Sequence, residues 1–295
     1  MKQINIISGK GGTGKTTITA SFATLAQNKV IVDCDVDASN LHLLLNPSII
    51  EKQEFKGSKV ASIDYEKCIE CGMCKEVCRF DAIKNNGENS IIDPILCEGC
   101  GVCAYICPES AITLKEKISG YAFISETKYG PMVHAKLNIA EEVSGKLVTL
   151  LRNNAIKIAE KENKELILID GPPGIGCPVI SSLSGVDLAL IVTEPTMSGL
   201  HDLERVLCLT DHFGITSIVC INRYDINLEN TEKIIDFCKE NKVDIIGKIS
   251  FDHIVTEAMV AGKSIVEFSD GTVAKEIKDV WNKVVQHCRR TLMLL

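Results

Sequence analysis

Eight of the fourteen cysteines in this 295-residue chain fall into two copies of one spacing. The first is Cys68-x2-Cys71-x2-Cys74-x3-Cys78, and the second is Cys97-x2-Cys100-x2-Cys103-x3-Cys107-Pro108. A constant offset of 29 residues relates them and reaches beyond the cysteines. Asp64 answers Asp93, Gly72 answers Gly101, Val77 answers Ile106, and Ala82-Ile83 answers Ala111-Ile112. Cysteines at this density mean disulfides or metal. The chain reads as cytosolic, where thiols stay reduced, and the spacings are ligand spacings, so metal is expected. Four-cysteine sites also bind zinc, which is the alternative to an iron–sulfur centre.

A second motif lies near the N-terminus. Gly9-Lys10-Gly11-Gly12-Thr13-Gly14-Lys15-Thr16 follows an apolar strand (Met1 to Ser8) and opens a helix (Gly14 to Gln27), the setting of a Walker A loop. Its glycines let successive backbone N–H groups form a nest for phosphate oxygens, aided by the helix N-terminus. Gly9, Gly11, Gly12, Thr13, Gly14, Lys15, Thr16 and Thr17 form the expected nucleotide-binding set. Lys15 is expected at the β- and γ-phosphates and the Thr16 hydroxyl on magnesium.

Elsewhere apolar strands alternate with amphipathic helices, which predicts an α/β fold with a doubly wound, mostly parallel sheet. Val30 to Asp33 ends in the acidic run Asp33-Cys34-Asp35-Val36-Asp37, and Leu166 to Asp170 runs into Gly171-Pro172-Pro173-Gly174. Residues 46–60 read as a linker, and Tyr121 to Leu137 as a hairpin around Tyr129-Gly130-Pro131. Helices are expected over Glu141 to Asn163 and Thr272 to Leu294. The expected division is a nucleotide domain at 1–60 and 116–295 with a small cysteine-rich domain inserted at 61–115.

A formal charge of −7 argues against nucleic-acid binding, which needs a basic excess. No signal peptide or run of 18 apolar residues is visible, so a cytoplasmic location is expected. The last helix, with Val280-Trp281, Val284-Val285, Arg289, Arg290 and Leu292 to Leu295, could be an amphipathic membrane anchor. Packing against the sheet is the expectation, and no membrane partner is foreseen.

Lys10, a second lysine just after the first glycine, resembles the deviant Walker A pattern of the MinD/ParA class of ATPases. That class includes the nitrogenase iron protein and ATPases that handle iron–sulfur clusters. The resemblance implies a nucleotide-dependent homodimer, or a paralogous heterodimer, in which Lys10 reaches the partner's phosphates as an arginine finger does elsewhere. It also implies that Asp35, with Asp33 second, orients the attacking water, while Asp37 is a solvated loop acid. Asp170 would hold magnesium, and Gly171 to Gly174 would sense the γ-phosphate. Asn222-Arg223-Tyr224-Asp225 resembles a base-recognition element, with Asn222 on the adenine edge and Arg223 stacked over it. The same string fits the guanine reader of GTPases, but the family favours ATP. Thr193-Glu194-Pro195 and Gly199-Leu200-His201-Asp202 extend the likeness.

The cysteine runs resemble those of two-cluster ferredoxins, in which the fourth cysteine of each run serves the other cluster. By that resemblance the insert is a small α+β ferredoxin-like domain. Cys68, Cys71, Cys74 and Cys107 would hold one 4Fe–4S cluster, and Cys97, Cys100, Cys103 and Cys78 the other. Arg79 stands where the ferredoxin pattern has proline; Pro108 keeps it. Cys34, Cys208, Cys220, Cys238 and Cys288 read as small core residues. Cys177, seven residues after Asp170, sits where the nitrogenase iron protein has a cluster-ligating cysteine. The implied activity is ATP hydrolysis coupled to electron transfer, or to metallocentre assembly, on a partner metalloprotein or cluster acceptor. The alternative is a MinD-like positioning ATPase with redox-sensing clusters.

Overall fold

The computed structural model describes residues 1–87 and 89–292, and for residues 289–292 the backbone alone. The chain divides into two compact units. One comprises Met1–Lys52, Ala122–Lys136 and the chain from Val143 onward; the other comprises Gln53–Tyr121 and Leu137–Glu142.

The strands in chain order are β1 (Lys2–Ser8), β2 (Lys29–Asp33), β3 (Ser48–Phe55), β4 (Ser58–Ile63), β5 (Ile83–Asn85), β6 (Ser90–Ile92) and β7 (Ile112–Lys117). They continue with β8 (Gly120–Thr127), β9 (Gly130–Leu137), β10 (Leu166–Pro173), β11 (Leu188–Thr193), β12 (Ser217–Asn222) and β13 (Asp244–Ile249). Nine of them form one sheet in the order β13-β12-β11-β1-β10-β2-β9-β8-β3. Pairing from β13 through to β9 is parallel. Its strands read Ile-Asn-Ile-Ile or Leu-Ile-Leu-Ile because helices cover both faces and leave no polar side.

Sheet order sets the position of the phosphate loop. From β1 the chain crosses to β2 on one side; later it steps from β10 back across β1 to β11 on the other. The carboxyl end of β1 is therefore a topological switch point, where an open α/β sheet leaves a crevice. Behind it Ile6, Phe22, Leu190, Val192 and Ile218 pack in one buried cluster. The helix Thr272–Leu292 joins that cluster through Val273, Ala274, Ile277, Val280 and Val284. Its Trp281 ring lies 4.9 Å from Phe22, so the apolar face is spent on the core. The Arg289, Arg290 and Leu292 side chains, and residues 293–295, lie outside the described residues.

Two expectations are corrected. Residues 46–60 are not a linker: β3 forms the sheet edge and β4 begins at Ser58. Seven of the eight β3 residues are exposed, so this strand carries no buried-face alternation for its sequence to display. The helix expected from Glu141 begins at Gly145, because the Ser144 hydroxyl accepts from Leu147 N and caps it. Glu141 instead pairs with Lys117 at 2.7 Å.

The cysteine unit is built from two equivalent halves. β4 pairs antiparallel with β7, and β5 with β6. Short helices Met73–Glu76 and Val102–Ile106 each follow a glycine at positive φ, Gly72 at 77° and Gly101 at 83°. Asp64 N donates to Ala111 O at 2.7 Å, and 29 residues on Asp93 N donates to Ala82 O at the same distance. Cys68 N to Asp64 O is likewise matched by Cys97 N to Asp93 O, both 3.1 Å. The buried core is thin: Ala61, Ile83, Cys103 and Ile112, with Cys74, Cys78, Cys97 and Cys107 packed against it.

Candidate functional site

The loop after β1 is shaped by its glycines at two places. Gly14 has φ 90°, and a Cβ there would run into the Asn222 amide; at Gly9 a Cβ would strike Asp202. Asn222 Nδ2 donates to Thr13 O at 2.8 Å, tying β12 to the loop. Lys15 opens the helix Lys15–Leu25, is almost wholly buried, and sets its ammonium 3.5 Å from Asp35 Oδ2.

Three carboxylates meet here at the carboxyl ends of adjacent strands. Asp33 and Asp170 are register partners on β2 and β10. Asp33 accepts from Asp35 N at 3.1 Å and from Ser39 Oγ at 2.8 Å, so both its oxygens are used in holding the loop after β2. Burial, then the Asp170 charge, pushes the Asp33 carboxyl well above the usual range. Asp170 is raised too, by burial, against the opposing pull of Lys15. Asp35 is raised by burial, with Lys15 again pulling the other way. Three acids facing one ammonium leave a surplus of negative charge that a cation can relieve.

One atom marks where that cation fits. Asp170 Oδ1 accepts from Thr19 Oγ1 at 2.9 Å, but Oδ2 is buried with no hydrogen-bond partner. Thr16 lies beside the same carboxylate. An orphaned carboxylate oxygen beside a threonine hydroxyl suits a hard divalent ion, directly or through water. Asp37 is exposed, in keeping with a solvated acid.

Lys10 does not extend from the loop. Its ammonium lies 2.6 Å from Glu194 Oε1 and donates to Thr196 and Ser198 hydroxyls, each at 3.1 Å. Arg223 NH1 reaches the other oxygen of Glu194 at 3.3 Å. Glu194, at the end of β11, thus holds two cations, and the sequence reading had given it no such part. An acid at the carboxyl end of a strand beside β1 was the available signal. A cavity of about 550 Å³ opens beside Gly14, Thr17, Asn222 and Arg223, walled by Phe251, Met259 and Ile277, which sequence reasoning also missed. Asp225, the residue a guanine reader needs, accepts from Phe251 N at 2.8 Å.

In the other unit, Cys68, Cys71, Cys74 and Cys107 line one hollow of about 400 Å³. Cys78, Cys97, Cys100 and Cys103 line a second of about 370 Å³. Backbone N–H groups point at sulfur in both: Ala111 N to Cys107 Sγ at 3.3 Å, Ala61 N to Cys97 Sγ at 3.5 Å. Such donors suit thiolate ligands. Among the described residues no three His, Cys, Asp or Glu side chains are gathered as a ready single-ion site; the cysteines form walls of the two hollows. Cys177 is exposed at the start of the helix Cys177–Leu183. Cys34, Cys220 and Cys238 are buried and Cys288 is partly buried, as core residues should be, but Cys208 is corrected: it lies exposed on the helix Met197–His212, outside the core.

The sequence matches the CobQ/CobB/MinD/ParA nucleotide binding domain over residues 4–265. The chain belongs to that family and is a P-loop ATPase of the MinD/ParA type. An uncharacterized protein of Methanocaldococcus jannaschii is 37% identical, with 96% of each chain covered. The iron-sulfur cluster carrier protein of Pyrococcus abyssi is 24% identical over 96% of this chain and 85% of its own. The septum site-determining protein MinD of Pyrococcus horikoshii, in complex with Mg-ADP, shares the fold at a TM-score of 0.57 and 19% identity. That match covers 96% of this chain and 95% of the other. No helix among the described residues is long and apolar enough to cross a membrane.

Proposed function

We propose that this ATPase carries two 4Fe–4S clusters and couples nucleotide state to electron transfer or metallocentre assembly on a partner protein. The observation that carries the reading is the crossing of the cysteine runs: each hollow takes three cysteines from one run and the fourth from the other. Two such clusters, when bound, would each store one electron. The ligand sets are Cys68, Cys71, Cys74, Cys107 and Cys97, Cys100, Cys103, Cys78.

In the nucleotide unit, the loop N–H groups and Lys15 bind the phosphates, and Thr16 with Asp170 holds magnesium. Asp33 is fully engaged with Ser39 and Asp35 N, so Asp35 is the carboxylate left to orient the attacking water. Triphosphate must first draw Lys15 away from Asp35, which frees that carboxylate as the substrate arrives. Asn222 braces the loop and Arg223 lies against the base cavity. With Asp225 engaged by Phe251 N, adenine is favoured over guanine. In an ATP-bound dimer Lys10 leaves Glu194 and reaches the partner's phosphates, where its charge offsets that of the transferring phosphoryl group.

The test is anaerobic purification with iron and labile-sulfide analysis, then mixing of the reduced protein with a candidate acceptor, with and without ATP. Fast ATP-dependent oxidation with iron retained supports electron transfer, and loss of iron and sulfide to the acceptor supports assembly. Colourless, iron-free protein, or hydrolysis that ignores cluster state and needs lipid instead, overturns the proposal in favour of a positioning ATPase.

A further inference from the structure

The chain passes between its two units four times, at 52/53, 121/122, 136/137 and 142/143. Residues Leu137–Glu142 belong to the cysteine unit, although the chain on both sides of them belongs to the nucleotide unit. This short segment is clasped at both ends. Asn138 N donates to Ser119 O at 2.9 Å, and its side-chain amide donates to Ile118 O at 2.7 Å. Glu141, with its side chain only 8% exposed, pairs with Lys117 at 2.7 Å and accepts from Ser58 Oγ at 3.0 Å. Between the two clasps Ala140 sits at φ 62°, a left-handed conformation that costs an alanine free energy. A loop that only joined a strand to a helix would need neither a buried carboxylate nor that backbone. Lys117 extends the grip: it also donates to Pro94 O at 2.8 Å, in the turn that opens the second cysteine run. Asp93, beside it, accepts from Ile95 N at 2.9 Å and from Cys97 N at 3.1 Å.

Beyond Glu142 the segment runs straight into the helix Gly145–Lys161. That helix is locked to the helix Cys177–Leu183. At Gly145 the Ser181 hydroxyl and Cys177 O leave no room for a Cβ. Further along, the buried Arg152 donates through NH1 to Ser181 O at 2.9 Å and to Ser184 O, and through NH2 to Gln3 Oε1 at 2.7 Å. Sliding one helix along the other would strip a buried guanidinium of its acceptors, so the pair moves as one body. The helix Cys177–Leu183 follows Gly171 to Gly174, read above as the γ-phosphate sensor. Gly174 N donates to Ser8 O at 2.9 Å, one residue before the phosphate loop begins.

We propose that residues 138–142 are a tether that carries nucleotide state to the cysteine unit, with Glu141 and Lys117 as its positioning residues. The inference rests on the reading that the two units are coupled, and it names the element that couples them. A triphosphate that shifts the sensor turn moves the locked helix pair, and the pair carries Val143 and the Ser144 cap with it. The clasp at Glu141 hands that displacement to Lys117, and Lys117 hands it to Pro94 and the turn before Cys97. The γ-phosphate supplies the differential affinity that such a shift requires. The hollow lined by Cys78, Cys97, Cys100 and Cys103 therefore responds to nucleotide through a route that the other hollow does not share.

The experiment is hydrogen exchange of the anaerobically purified full chain, read by mass spectrometry with magnesium and either ADP or a non-hydrolysable ATP analogue. In the wild type, exchange should differ between the two nucleotides by about fivefold or more in segment 171–183 and again in segment 93–106. Lys117→Met should abolish the difference at 93–106 and keep the one at 171–183. Glu141→Gln should reduce it. A short glycine insert between Glu142 and Val143 leaves every clasping side chain in place and should abolish it as well, so the inference stays testable if Lys117→Met does not fold. A difference at 93–106 that survives both Lys117→Met and the glycine insert overturns the tether and leaves coupling to the strand crossings at 52/53, 121/122 and 136/137. A wild type that responds at 171–183 and not at 93–106 overturns the coupling reading itself, and the tether with it.

Discussion

In the unit built on the nine-stranded sheet, charged residues are positioned by protein alone. Asp33 is held by Ser39, Asp170 by Thr19, and Asn222 ties the phosphate loop to β12, all in front of a large apolar cluster. In the cysteine unit the candidate ligands are themselves much of the packing. Four buried residues form its centre, one of them Cys103, and four more repeat cysteines lie against it. The first unit can fold with nothing bound, because its apolar burial does not depend on the site. In the second, on the proposed cluster reading, folding and loading would be one process, since the buried core there is thin.

Four perturbations bear on this contrast. The largest effect is expected from Lys10→Ala, which should slow hydrolysis in the ATP-bound dimer by about 10³-fold or more. Iron content should stay unchanged, and a phosphate-release assay beside an iron assay reads both. Cys103→Ser should do the reverse: about half the iron is lost and the segment 53–121 becomes protease-sensitive, while ATP affinity stays within about twofold. If that variant lost ATP binding as well, the independence of the two units would be refuted.

The third concerns acid. Burial, then the neighbouring His42, pushes His134 down to about 4, and its ring nitrogen bonds Ser125 Oγ at 2.9 Å. An unfolded histidine titrates near 6.5, so the unfolded chain takes up the proton that the folded one refuses. Stability is therefore full above about pH 6.5 and falls as pH drops toward 4, by at most about 3 kcal/mol. Denaturant unfolding at pH 7.5 and 5 should show this fall, and His134→Gln should flatten it. The smallest effect is expected from Glu194→Gln. Breaking a part-exposed ion pair is worth about 0.2–1 kcal/mol, so releasing Lys10 should tighten ATP-dependent dimerisation by up to about fivefold, measured by light scattering.

Local pattern was readable wherever the chemistry demands contiguous residues. The phosphate nest needs glycines and a lysine in one short run, the cysteine runs are marked by thiols three and four positions apart, and a buried parallel strand needs unbroken apolar residues such as Leu166 to Ile169. All of these stand in the chain as written. β3 was not readable, because a strand exposed on both faces carries no burial period. Nor was the start of the helix at Gly145, where a single serine cap outweighed the acids before it.

Composition and spacing alone thus defined a parallel α/β chain with a phosphate loop and two thiol-rich runs, since each follows from neighbours along the backbone. Which cysteines share a hollow, which acid restrains Lys10, and which carboxylate oxygen is left unpaired were decided by the fold. Glu194 is 184 positions from Lys10, and Thr19 is 151 from Asp170. Only chain folding brings such distant polar groups together, and the low dielectric there makes their pairing matter.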